Sequence, residues 1–384
     1  MSKHAGPVVH VIGELARAGA ELFVCRLASA LSRQGQPVEI WVLYPAECIH
    51  ADRPTALQDE KELRAELEQA GLTVRFLDKR PRRDYLSTWR RLRRLARMVC
   101  PVVVHAHLEE ISFHVGMALS GCGIPLVQTM HSQTIRRTNL LRHLFRRQFA
   151  RFVCISAAVQ QATAAYIPAG QLVLIPNGIP LHPFLYPDRN RLQPVRRLIA
   201  VGRLSEVKNH DLMIRAFARV RQELERDNCP VPRLTIYGEG DCRPQLEALV
   251  AELQLADFVC LPGVSKHIAD HLKEADIYLM SSNYEGMSIA LLEAMAAGLP
   301  IAVTAVSGTK DLLIDGENAC ISPVGDQAAL AASIMRFIRS PELRERCGHR
   351  AEESARQFGI SACAAKHLEL YRSLTHGSSA TCNE

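Results

Sequence analysis

Short apolar runs recur along this chain, and most end in a loop that leads into a segment of helical character. Pro7–Gly13 (PVVHVIG) is followed by a turn, Glu14–Ala20, then by a helical pattern over Glu21–Arg33 that stops at Gly35. The next apolar run is Pro37–Tyr44. Strand, crossover helix and strand form the repeating unit of a parallel sheet. Similar runs stand at Thr73–Leu77, Pro101–His107, Pro125–His131, Phe152–Ser156 and Val173–Ile179. They resume at Arg196–Gly202, Leu234–Gly240, Phe258–Gly263, Ala275–Ser281 and Pro300–Thr304. This predicts an α/β fold with buried parallel strands, in which ligands gather at the strands' carboxyl ends. With 384 residues the chain exceeds one ordinary core, so two domains are expected. The Pro-rich, non-periodic segment 181–194 (LHPFLYPDRNRLQP) reads as the linker, placing the domains at 1–185 and 186–357.

Composition narrows the function classes. Few aromatic residues (5%) argue against an aromatic-lined nucleic-acid binder, and no nucleic-acid partner is expected. The twelve cysteines include no C-x-x-C pair, so neither a zinc site nor a disulfide framework is indicated, and a reducing, cytoplasmic setting is expected. Cys25, Cys154 and Cys260 read as small core residues. The first residues are too short an apolar run for a signal peptide. The apolar region Met287–Val306 is interrupted by Glu293, Gly298 and Pro300, which reads as a buried helix and strand rather than a membrane span. Charge is uneven: residues 1–190 carry 24 Lys+Arg against 15 Asp+Glu, and the remainder 22 against 25. Segment 82–99 (RRDYLSTWRRLRRLARMV) is amphipathic, with Trp89, Leu92, Ala96 and Val99 on one face and arginines around it. It reads either as a solvated domain helix or as a peripheral attachment to an acidic membrane surface.

Asn283–Pro300 (NYEGMSIALLEAMAAGLP) carries the chemistry. Ser288 is placed to cap a helix whose end is set by Gly298-Leu299-Pro300. The helix N-terminus offers free amides and partial positive charge, which suit a phosphate. Gly286 lets backbone approach a ligand closely. Glu285 and Glu293 flank this point and can accept hydrogen bonds from hydroxyls. Gly202, Arg203 and Lys208 form a second constellation, a glycine and two cations after a strand, which suits a diphosphate. Histidines are frequent at strand ends. His105 and His107 are read as pointing to opposite faces of their strand, which keeps them from forming a metal pair. His131 ends the run Pro125–His131. His267 and His271, four apart, read as a solvated helix face. No metal site is expected. LTIYGEG lacks the third glycine of a dinucleotide fingerprint, so no cofactor of that kind is expected.

The stretch from Asn283 to Pro300 resembles the E-x7-E element of retaining glycosyltransferases with the GT-B fold, of the family 4 type (glycosyl transferases group 1). Arg203 and Lys208 match the family's diphosphate-neutralising cations, and the resemblance runs over nearly the whole chain. It implies two Rossmann-like domains facing across a cleft, with a final helix (about 358–384) crossing back to the first. It implies a nucleotide-sugar co-substrate, UDP- or GDP-linked, and no other cofactor. Glu285, Arg203, Lys208 and His131 would take the catalytic roles. Gly19, Gly202, Val264, Gly286, Met287, Ser288 and Glu293 would line the donor, Gly19 in a loop before the first helix and Glu293 holding the ribose. Ala18 stands where the family has a first glycine, Pro180 where it often has Asp, and Ser307 where a loop usually has Gly. Asp311 and Phe358 take the places of a common acidic and a common aromatic residue. No D-x-D occurs, so the metal-dependent alternative fold is not supported. The acceptor suggested by the basic first half and the resemblance together is a lipid-linked glycan in cell-surface polysaccharide or lipopolysaccharide assembly. A second basic segment, Arg136–Arg151, corresponds to the family's acceptor region. Alternatives are a soluble small acceptor, a non-catalytic subunit of a glycan-assembly complex, and a nucleotide-sugar epimerase.

Overall fold

The computed structural model describes residues 6–50, 54–131, 146–186 and 189–375. Two compact units result, Met1–Gly178 with Ile360–Glu384, and Ile179–Gly359. The first contains β1 (Val8–Ile12), β2 (Val38–Val42), β3 (Thr73–Phe76), β4 (Val103–His107), β5 (Leu126–Met130), β6 (Arg151–Cys154) and β7 (Leu172–Leu174). They form one parallel sheet in the order β3-β2-β1-β4-β5-β6-β7. The order reverses at β1, the arrangement of a doubly wound fold. β1, β4 and β5 are buried at every residue, and their mostly apolar sequences are broken only by His10, His105, His107, Gln128 and Thr129.

The second unit contains β8 (Arg197–Val201), β9 (Arg233–Tyr237), β10 (Val259–Gly263), β11 (Ile277–Met280), β12 (Ile301–Thr304) and β13 (Cys320–Ser322). Their order is β10-β9-β8-β11-β12-β13, again all parallel. Phe217, Val220, Leu234, Ile236, Leu279 and Phe337 lie in its core.

Five helices matter below: α1 (Gly19–Arg33), α2 (Tyr85–Val99), α3 (His210–Arg226), α4 (Ile289–Ala296) and α5 (Ile360–Thr375). Helix α5 belongs to the first unit and packs against α1 and β4. Four expectations need correction. Gly19 is the first residue of α1, not a loop residue, because Ala18 is already the extended N-cap. Segment 181–194 is not a free linker: Arg191 is buried, with its guanidinium bonded to the Gly298 carbonyl at 2.7 Å, and the unit boundary lies at Gly178/Ile179. Cys260 is exposed, since β10 is an edge strand, whereas Cys25 and Cys154 are buried. His105 and His107 share a face, because residues two apart on a strand point the same way; their rings stack with centroids 4.4 Å apart. Segment Arg136–Arg151 lies largely outside the described residues.

Candidate active site

The second unit draws the two predicted constellations together at the carboxyl ends of β8 and β11. After β8 the chain turns at Gly202, whose amide donates to the Tyr237 carbonyl at 2.9 Å. The G-x-G turn presses on this loop from the neighbouring strand. A Cβ on Gly238 would sit 1.9 Å from the Gly202 carbonyl oxygen, and one on Gly240 would sit 2.2 Å from that of Leu204. Both glycines also have positive φ, +145° and +159°. They are therefore required by close backbone approach, a role unrelated to dinucleotide binding. Asn209 then caps α3, its side-chain oxygen accepting from the Leu212 amide at 3.3 Å.

Lys208 is folded back against Gly202, its methylenes 3.6 Å from where a Cβ would stand. Its ammonium pairs with Glu285 Oε1. The same oxygen accepts from the Ser282 hydroxyl at 2.7 Å, and Glu285 is only 8% exposed. Glu285 Oε2 makes no hydrogen bond among the described residues, so it remains an open acceptor. An ammonium has three donors, so Lys208 keeps two for another ligand. Arg203 is exposed and has no ion-pair or hydrogen-bond partner for its guanidinium among the described residues. Thus one cation is bound to the carboxylate and a second stands free beside the same loop.

The framework around the pair is backbone and short polar side chains. Ser281 donates to the carbonyls of Lys208 and Asn209 at 3.0 and 2.8 Å. Asn283 bonds the carbonyl of Glu206 at 3.1 Å, and its own carbonyl oxygen accepts from Asn209 at 2.9 Å. Thr304 holds the Ser282 carbonyl at 2.6 Å. Ser288 caps α4 through the Leu291 amide at 3.3 Å, a contact of about 1 kcal/mol. The helix ends as its sequence predicts. Gly298 has φ +65°, and the Gly298 and Leu299 amides return to the carbonyls of Met295 and Ala294. Glu293 is buried on α4, and Gly286, Met287 and Ser288 are buried at its entrance. Burial, with Glu285 and Glu293 as secondary causes, pushes the Tyr278 phenol well up, so both carboxylates act on one buried ring.

Sequence reasoning missed Ser282 and Gly308. The polar run Ser281-Ser282-Asn283 at a strand end was the available signal for the first. Gly308 donates its amide to the Glu285 carbonyl at 3.1 Å. A Cβ there would stand 2.6 Å from the carbonyl oxygens of both Glu285 and Gly286. Val264, at the end of β10, is 51% exposed and takes no part in the cluster. Gly19 and His131 belong to the first unit. A Cβ on Gly19 would meet nothing within 4 Å. His131 follows β5, with burial holding its pKa down to about 4. It is neutral at pH 7.

His210, the first residue of α3, is buried, and burial lowers its pKa to about 4, with Lys208 adding to the effect. Its folded pKa lies below the ordinary 6.5, so its contribution to stability is full above pH 6.5 and is lost as pH falls toward 4. By pH 5 the loss is about 2 kcal/mol. Denaturant unfolding at pH 7 and pH 5 is expected to show a difference smaller by that amount in His210→Leu than in the parent.

A parallel-sheet unit with a paired cation and carboxylate at its strand ends, beside a capped helix start, offers the donors and acceptors that an anionic, hydroxyl-bearing ligand needs. Residues 17–182 match the Glycosyltransferase Family 4 model, and residues 188–354 match Glycosyl transferases group 1. The chain belongs to this glycosyltransferase family. It is 29% identical over 302 residues to D-inositol 3-phosphate glycosyltransferase of Streptosporangium roseum, covering 70% of this chain and 68% of that one. It is 29% identical over 175 residues to a Campylobacter jejuni enzyme, N-acetylgalactosamine-N,N'-diacetylbacillosaminyl-diphospho-undecaprenol 4-alpha-N-acetylgalactosaminyltransferase, covering 44% of this chain and 46% of that one. Among solved structures, Anabaena Alr3699/HepE in complex with UDP-glucose superposes with a TM-score of 0.80 at 17% identity, over 96% of this chain and all of the other. That likeness establishes the GT-B fold.

Proposed function

We propose that the chain moves a sugar from a UDP- or GDP-linked donor to a hydroxyl of a lipid-linked glycan, with retained anomeric configuration and without a catalytic metal. The observation that carries this reading is the three-way contact of Lys208, Glu285 and Ser282 with Arg203 exposed nearby. Arg203 and the two spare donors of Lys208 would neutralise the diphosphate as the glycosidic bond breaks. The amides of Gly286 and Met287 and the α4 dipole would add to this. Glu285 Oε2 would accept from a sugar hydroxyl and favour the positive charge that develops on the ring. Charge-assisted bonds of this kind contribute about 1.5–3 kcal/mol each. Glu293 would hold the ribose, Val264 the base, and His131, neutral, the acceptor or sugar.

A mass-spectrometric screen tests this. Purified chain, nucleotide sugars and a membrane extract are incubated, and products are sought in lipid and aqueous phases. A glycosylated lipid supports the reading. A product confined to the aqueous phase favours the soluble-acceptor alternative, which the relative named for inositol 3-phosphate also suggests. Donor turnover with no acceptor product points to an epimerase, and no turnover at all to a non-catalytic subunit. Retention is checked by the anomeric configuration of the product.

The lipid-linked acceptor gives α2 a role. Among the described residues no helix is long and apolar enough to cross a membrane. Thr88, Leu92 and Ala96 face the core, while Leu86 and Met98 are 63% and 64% exposed. Arg91 and Arg93 are occupied with the carbonyls of Leu77 and Ala118. Arg90, Arg94 and Arg97 are exposed, without ion pairs among the described residues. Each basic residue near an anionic bilayer contributes about 1 kcal/mol. Replacing these three with alanine is expected to weaken binding to phosphatidylglycerol vesicles about 100-fold. Binding by the parent should itself fall with added salt. Equal sedimentation of both proteins with vesicles would remove α2 from this role.

A further inference from the structure

The first unit holds a histidine cluster that the transfer chemistry leaves unused. His10 on β1 stands in register with His105 on the adjacent β4, and His107 lies two residues on, projecting to the same face. The rings of His105 and His107 stack at 4.4 Å, and His10 lies 5.4 and 5.2 Å from them. All three are fully enclosed, at 0%, 0% and 1% exposure. One ring nitrogen from each lies within 4.8 Å of the other two.

The hydrogen bonding within the cluster is incomplete. His10 Nδ1 and His107 Nε2 share one hydrogen at 2.9 Å. His10 Nε2 and His107 Nδ1 have no partner among the described residues. A neutral imidazole carries one N–H and one bare nitrogen. Whichever ring donates the shared hydrogen therefore keeps a bare, buried nitrogen with nothing to accept from. Native cores rarely leave such an atom unpaired without a reason. His105 is braced on both sides, by the Tyr371 hydroxyl of α5 and by the Thr129 hydroxyl of β5, each at 2.7 Å. A hydroxyl can donate or accept, so the Tyr371 hydroxyl can hold the Nδ1–H of His105 while Nε2 gives up Thr129 and turns to the cation. Metal-bound histidines are oriented in this way by a partner on their second nitrogen.

We propose that His10, His105 and His107 bind one d-block cation of the imidazole-preferring group, Zn²⁺ or Co²⁺, through one nitrogen each. Bond lengths of about 2.0–2.1 Å require the three nitrogens to contract by about 1.5 Å from their widest spacing. The neutral imidazole is the ligating form. Three neutral ligands do not offset a dication in a dry core. The fourth position accordingly takes hydroxide, formed from water with release of its proton to solvent. The cation would tie β1 and β4 to each other, and through His105 and Tyr371 to α5.

Untagged full-length chain is stripped with a chelator and titrated with Co²⁺, then with Zn²⁺. Expected are one Co²⁺ per chain with visible ligand-field absorption, its displacement by Zn²⁺, and a raised midpoint of thermal unfolding. His107→Gln abolishes the spectrum. Tyr371→Phe, which keeps the ring but removes the brace on His105, weakens binding about 10–100-fold. His271→Gln is the control for surface binding; His271 lies on the short helix Ile268–Glu274, stacked on Tyr237 at 4.4 Å. It should change nothing. Stoichiometry near zero, binding unaltered in Tyr371→Phe, or binding lost in His271→Gln would each overturn the proposal. Should His107→Gln fail to fold, the parent's stoichiometry and the Tyr371→Phe titration still decide it.

Discussion

Replacing Lys208 with alanine is expected to lower kcat about 10²–10³-fold while leaving the chain folded. The rate loss follows from removing a positioned cation from the place where leaving-group charge develops. The stability loss has a separate origin. Glu285 is buried and would keep only the Ser282 hydroxyl on Oε1. Unpairing a buried charge costs about 3–5 kcal/mol when the site is dry. The Lys208 side chain is 24% exposed, so water can reach the vacated space and the cost falls below that range. Lys208→Arg should not restore the rate, because a planar guanidinium differs in shape and donor geometry from the compact ammonium whose methylenes pack beside Gly202. Arg203→Ala is expected to cut the rate comparably with no loss of stability, since its guanidinium is exposed. Steady-state kinetics with a nucleotide-sugar donor, paired with thermal unfolding, separates the two contributions. Near-normal turnover in either variant removes that residue from the mechanism.

Gly308→Ala is expected to be as damaging, although Gly308 bears no functional group. Its new methyl would lie 2.6 Å from two carbonyl oxygens, those of Glu285 and Gly286. Both obstacles are backbone, so no rotamer change relieves the clash. Either the segment that carries Glu285 and opens α4 moves away, or the turn bearing Gly308 does, breaking its 3.1 Å bond to the Glu285 carbonyl. Overpacking of this kind costs about 1–3 kcal/mol. A shift of about 1 Å in catalytic groups costs about 10²-fold in rate. Gly170→Ala is the matched control, because a Cβ there meets nothing within 4 Å. Equal activity in the two variants would show that the Glu285 segment tolerates displacement.

Much of the fold was legible because its signals are local. Strands covered on both faces must be apolar throughout, which β1, β4 and β12 are apart from their histidine and threonine positions. The ends of α4 were readable from Ser288 and Gly298, since capping is decided within a few residues. The pairing of Lys208 with Glu285 was not readable. It joins positions 77 residues apart, and the sequence pointed the two groups at different parts of one donor, the diphosphate and the sugar hydroxyls. Gly308 escaped notice for the same reason: its neighbours lie more than twenty residues earlier. Gly19 was misplaced because a helix can begin on a glycine when the preceding residue is extended. The burial of Arg191 could not be inferred from a segment rich in proline and polar residues. Its partner is a carbonyl at the far end of α4, at Gly298. His105 and His107 were misjudged by a simple error of strand period, and that error concealed their grouping with His10.

The loop after β8 is fastened by its main chain. Gly202 and Leu204 donate to the carbonyls of Tyr237 and Glu239, and the amide of Cys242 returns to Leu204. Side chains at 205, 206 and 207 are thereby released from holding the loop in place. An engineer seeking a different sugar nucleotide can randomise those positions with little risk to the scaffold, provided Gly238 and Gly240 are left untouched.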